Sequence, residues 1–145
     1  MAEDTRQIEL ERRIKATPET IFSYFTDSER YTAWMGVDAT LDARPGGIYK
    51  VHTPQGYVVL GEFIEVDPPR RVVFSWGWEG HASVPPGSSR VEITLQPNAD
   101  HTTLKLIHSG LPMEEMAIHT SGWERYLGRL IVTAEGGEAG PDEPQ

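Results

Sequence analysis

The clearest helical rhythm lies near the C-terminal end, where Met116, Trp123, Leu127, Leu130, Ile131 and Ala134 recur at helical spacing and line one side of a cylinder. The pattern predicts a helix from Pro112 to Ala134. Pro112 suits the first turn, Glu114 and Glu115 put negative charge at the positive end of the dipole, and Gly136-Gly137 stops the run. Upstream of Ser109 the period is mainly two. Ile8, Leu10, Arg12 and Ile14 fall on one side of a solvated edge strand. Thr17-Pro18-Glu19 then starts a short helix over Glu19 to Thr26, and Asp27 caps a second that runs through Tyr31 to Trp34.

Six strands are expected next. They are Val37 to Leu41, Ile48 to Thr53, Tyr57 to Val66, Val72 to Trp78, Arg90 to Gln96 and Thr102 to His108, joined by Gly-, Pro- and Asn-rich turns. Val72, Phe74, Trp76 and Trp78 share one face of their strand, and Leu104, Leu106 and His108 share one face of theirs. The order of strand, two short helices, antiparallel meander and long C-terminal helix is an α+β arrangement. A twisted sheet curls, and one helix laid on its concave side tends to leave an internal hollow.

At 145 residues the chain suits one domain with one core, spanning about residues 5–135. The tail 136–145, rich in Gly, Pro and acidic residues, buries too little apolar area to offset ordering and is expected to be disordered. A net charge of −9 with scattered Lys and Arg argues against nucleic acid and anionic membranes as partners. Without cysteine there is no disulfide, thiolate nucleophile or cysteine-ligated metal. The polar N-terminus predicts no signal peptide or membrane span, and hence a cytoplasmic protein.

The candidate chemistry is sparse. Trp34, Phe63, Phe74, Trp76, Trp78 and Trp123, with Leu127 on the helix stripe, read either as a cavity wall or as plain core. His108 and His119 read either as two imidazoles at a cavity mouth, serving as polar anchors or as acid and base, or as one bonded core histidine and one solvated one. The five histidines show no metal-ligand spacing, no Gly-x-Ser-x-Gly elbow is present, and Ser109 and its neighbour His108 point to opposite faces. No catalytic residue, metal or cofactor is therefore expected. Gly122 inside the helix would let it bend or approach the sheet closely beside Trp123.

Several segments, in order, carry a family likeness: Ala16 to Phe22, Trp34, Pro45-Gly46-Gly47, Gly61 to Trp76, His108 to Pro112, and Gly122-Trp123 through Leu130. On them the chain resembles the START-like, Bet v 1-like (SRPBCC) superfamily, and within it the family related to the activator of Hsp90 ATPase (AHSA1-like). The resemblance implies the helix-grip fold, a curved antiparallel sheet wrapped around the last helix over a hydrophobic cavity. It does not choose among the roles of such domains; read with the aromatic group and the two histidines, the chain is expected to be a carrier or sensor of a small hydrophobic or amphipathic molecule, with Trp34, Phe63, Phe74, Trp76, Trp78, His108, His119, Trp123 and Leu127 as the candidate ligand-binding residues. The alternatives are a cochaperone-like module whose partner is a chaperone and, behind it, a cyclase-like or hydrolytic enzyme using His108. Monomer and homodimer both remain open.

Overall fold

The computed structural model describes residues 7–143. Seven strands form one antiparallel sheet: β1 (Gln7–Ile14), β2 (Asp38–Leu41), β3 (Ile48–His52), β4 (Val58–Asp67), β5 (Arg71–Trp76), β6 (Ser89–Pro97) and β7 (Thr102–Ser109). Their order across the sheet is β1-β7-β6-β5-β4-β3-β2. The meander predicted from alternation is thus continuous, and the first strand joins its far edge beside the last. Two short helices, α1 (Pro18–Thr26) and α2 (Ser28–Tyr31), span the gap in sequence between the two edge strands. The helix α3 (Met113–Ala134) lies on the inner face, which makes this the helix-grip α+β fold.

The local signals act as their chemistry requires. Thr17 Oγ1 accepts from Thr20 N at 3.2 Å, and Asp27 Oδ1 accepts from Glu29 N and Arg30 N, so each short helix has a side-chain cap. Pro112 is the N-cap of α3 rather than its first residue and caps with no side chain. At the other end Gly136 takes φ +99°, with Gly136 N donating to Thr133 O and Gly137 N to Val132 O, the paired bonds of a Schellman ending.

Curvature is built into β4. The pairing of β4 with β5 shifts between Phe63 and Glu65, where a bulge bends the strand. Two residues earlier Gly61 passes so close to β5 that a Cβ would sit 2.0 Å from Ser75 O. A side chain there would force the sheet apart and flatten it.

One feature departs from the sequence reading. Residues 136–143 run back along α3 instead of trailing free, while residues 144–145 lie outside the described part. Asp142 is buried and accepts from Gly36 N, Arg125 Nη2 and Tyr126 Oη, each at 2.8 Å. Arg129 also holds the carbonyls of Ala139 and Gly140. The segment is anchored by hydrogen bonds and charge, so a count of its apolar area misses what orders it.

Candidate functional site

The stripe of α3 that faces the sheet is set by its spacing. His119, Trp123, Leu127, Leu130 and Ala134 are buried along it, and the half nearer the N-terminus borders a cleft of about 520 Å³. The helix contributes Glu115, Ile118, His119, Gly122, Trp123 and Tyr126 to the wall, which is one face at spacings of three and four. The sheet side supplies Trp76 and Trp78, and Tyr57 closes the outer edge against Trp78 with ring centroids 6.3 Å apart.

Alternation from β5 turns Trp76 and Trp78 to the same side, and Gly77 between them lets the following loop close in. A Cβ at Gly77 would lie 1.8 Å from Pro85 O, and Trp78 N donates to Val84 O at 2.7 Å. The indoles of Trp76 and Trp78 meet edge to face with centroids 5.6 Å apart, and Trp76 lies 5.0 Å from Trp123. Three indoles therefore form the floor and one wall.

Beneath that floor a hydrogen-bonded chain crosses from helix to sheet. Trp123 Nε1 can only donate, and it does so to His108 Nδ1 at 2.9 Å. The proton of His108 must then sit on Nε2, which donates to Ser89 Oγ at 2.8 Å, and Ser89 Oγ donates onward to Trp76 O at 2.8 Å. His108 is fully buried, and that burial pushes its pKa down to about 3, with the neighbouring His119 adding to the depression. It is a neutral strut whose two nitrogens are both committed. The expected place at a cavity mouth is not where it lies.

His119 is also buried, against the solvated reading of it. Trp78 Nε1 donates to His119 Nε2 at 3.0 Å, so Nδ1 carries the proton and faces Glu115 O at 2.9 Å. Burial lowers its pKa as well. Across the mouth, His81 Nδ1 accepts from Ser83 N and Val84 N, leaving its Nε2 turned to Glu115 Oε2 at 3.7 Å. Among the described residues no three His, Asp or Glu side chains converge as a metal-binding group.

Of the nine residues singled out from sequence, Trp76, Trp78, His119 and Trp123 come together on the cleft. Trp34, Phe63, Phe74 and Leu127 do not line it: each is fully buried in the packed half of the core, where α1 and α2 fill the space that the cleft occupies elsewhere. Missed were Glu115, Ile118 and Tyr126, which follow from continuing the Trp123 stripe by three and four positions, and Met35, Tyr57 and His81, which come from loops. Gly122 is not a point of close approach either, since nothing lies within 4 Å of where its Cβ would be. Its missing side chain is part of the cleft.

Tyr126 is held in the wall by the tail. Its hydroxyl donates to Asp142, and burial together with that bond pushes its pKa up to about 12. Opposite it, the Trp76 indole is 2% exposed, and its Nε1 is the single fully buried side-chain N or O among the described residues with no hydrogen-bond partner.

Comparison with known proteins extends these observations. The family described as Activator of Hsp90 ATPase homolog 1-like protein matches residues 15–135. Activator of 90 kDa heat shock protein ATPase homolog 1 of Homo sapiens is 31% identical over 126 residues, covering 84% of this chain and 35% of its own length. The structure of an AHSA1-like protein from Rhizobium etli is 41% identical, with a TM-score of 0.72 over 94% of this chain and 88% of its own. DynU16, a protein in the dynemicin biosynthetic locus, is 27% identical with a TM-score of 0.83, over 96% of this chain and 51% of its own. The chain spans about a third of the length of the curated relatives it matches.

Proposed function

Starting from the fact that this chain belongs to the Activator of Hsp90 ATPase homolog 1-like family, we propose that it binds a small hydrophobic or amphipathic molecule in the cleft between β5 and α3. The observation that carries the reading is the wall of three indoles, Trp76, Trp78 and Trp123, beside a cleft of about 520 Å³. The indole faces would take the apolar body of such a molecule at roughly 25 cal/mol per Å² before ordering losses.

The test is steric. Gly122→Leu places a side chain in the cleft and replaces a poor helix former with a good one. The variant keeps its fold and loses binding of 1-naphthaleneethanol, followed by calorimetry and by the indole N–H resonances. Unchanged binding would remove the cleft from the reading.

A second reading is a chaperone-binding module, supported by the name of the human relative and by exposed apolar residues, Tyr57 and Ile118 on the cleft wall and Met113 at the start of α3. It needs a surface rather than a cleft. Stimulation of an Hsp90 ATPase by the chain, retained in Gly122→Leu, is what that reading expects.

A further inference from the structure

The charge around the cleft narrows the ligand class, an inference that rests on the reading of the cleft as a binding site. Its wall carries two carboxylates, Glu79 and Glu115, and no Lys or Arg. Glu115 is half-buried, and among the described residues its ion-pair neighbours within 4.0 Å are imidazoles only: His119 Nδ1 at 3.6 Å and His81 Nε2 at 3.7 Å. Neither imidazole supplies a positive charge in this geometry. His119 Nε2 is occupied by the Trp78 N–H, and His81 Nδ1 is occupied by two backbone N–H groups. Glu115 is thus a carboxylate at the edge of an indole and phenol box with no cation against it.

Such a box treats charge asymmetrically. Aromatic faces attract a cation through their quadrupole, and carboxylates add to that attraction, whereas an anion meets both as repulsion. The guanidinium of Arg125, next in sequence to the wall residue Tyr126, is spent on Asp142 and on the face of Tyr126, 4.7 Å from its ring centroid. The overall charge of −9 reinforces the sign.

We propose that the cleft selects molecules in which a protonated amine is joined to an aromatic or otherwise flat apolar body, the body lying on Trp78 and Trp123 and the ammonium reaching Glu115. Fatty acids and other carboxylates of equal size are excluded by charge rather than by shape.

Three probes of one ring system and differing charge test this: 2-(1-naphthyl)ethylamine, 1-naphthaleneethanol and 1-naphthylacetic acid, titrated by calorimetry at pH 7. The amine binds about tenfold more tightly than the alcohol, and the acid more weakly than either. Glu115→Gln removes most of the amine's advantage over the alcohol and leaves the alcohol unchanged, and Glu79→Gln gives a smaller loss of the same sign. Equal affinity of the three for the wild-type protein, or an amine preference undiminished in both variants, overturns the charge assignment while the cleft stands. Failure of all three to bind overturns the assignment together with the cleft.

Discussion

Two ends of the same aromatic layer sit between sheet and helix, and they are finished differently. At the end under α1 and α2, Tyr49 stacks on Phe74 with centroids 4.1 Å apart, and Phe25 meets Trp34 edge to face at 5.1 Å. Every polar atom there has found a neighbour: Trp34 Nε1 donates to Tyr24 O at 2.9 Å, and the hydroxyls of Tyr31 and Tyr49 bond each other, both with pKa values raised by burial. At the other end the indoles of Trp76, Trp78 and Trp123 border a cleft, and one donor goes unmet. Aromatic content is similar at the two ends. What separates them is the short helical pair that fills one, and the glycine at 122 that leaves room at the other.

The strongest way to break this comparison is truncation on each side of it. Phe74→Ala empties a site with no route for collapse and costs about 3–5 kcal/mol. Trp78→Ala removes a half-buried ring that already borders the cleft, together with one hydrogen bond, and costs about 1–2 kcal/mol. Urea denaturation of the two variants measures both. Equal losses would mean that the wall by the cleft is packed as firmly as the solid end.

Acid probes the layer beneath the cleft. His108 has a folded pKa pushed down to about 3, below the ordinary value of 6.5, so the unfolded chain binds the proton more readily than the folded one between those limits. Stability from this group is complete above about pH 6.5 and is lost as pH falls, by about 1.4 kcal/mol per pH unit at most. The groups around the ring are Ser89, Trp76, Trp123 and His119, with no carboxylate to stabilise an imidazolium. From pH 6.5 to 4.5 the wild-type protein therefore loses roughly 2–3 kcal/mol more than His108→Gln, read from denaturation midpoints at each pH. Parallel curves would show that the imidazole is not held neutral.

The contrast also explains how far the sequence could be read. Strand alternation, helix caps and the α3 stripe are local, and all seven strands and three helices follow from them. The indoles at 76, 78 and 123 were legible as one group because two share a strand face and the third lies on the helix stripe. Whether an aromatic touches solvent or packs solid depends on what lies opposite: for Phe63 and Phe74 that is Tyr49 on another strand, and for Trp34 it is Phe25 and Tyr31, brought over it by the bend between the two short helices. The tail was misread because its partners are remote. Asp142 is ordered by Gly36, 106 residues away, and no periodicity announces such a bond.

The finest cut replaces one indole at each end by a phenyl ring. Trp34→Phe loses the bond to Tyr24 O and leaves that carbonyl without its donor, so it costs about 2 kcal/mol. Trp76→Phe loses similar ring area but also removes a buried N–H that has no acceptor, and these two effects oppose each other. Its stability stays within about 0.5 kcal/mol of wild type in urea titrations. If Trp76→Phe cost as much as Trp34→Phe, the Trp76 N–H would have a partner after all, and the polar difference between the two ends would vanish.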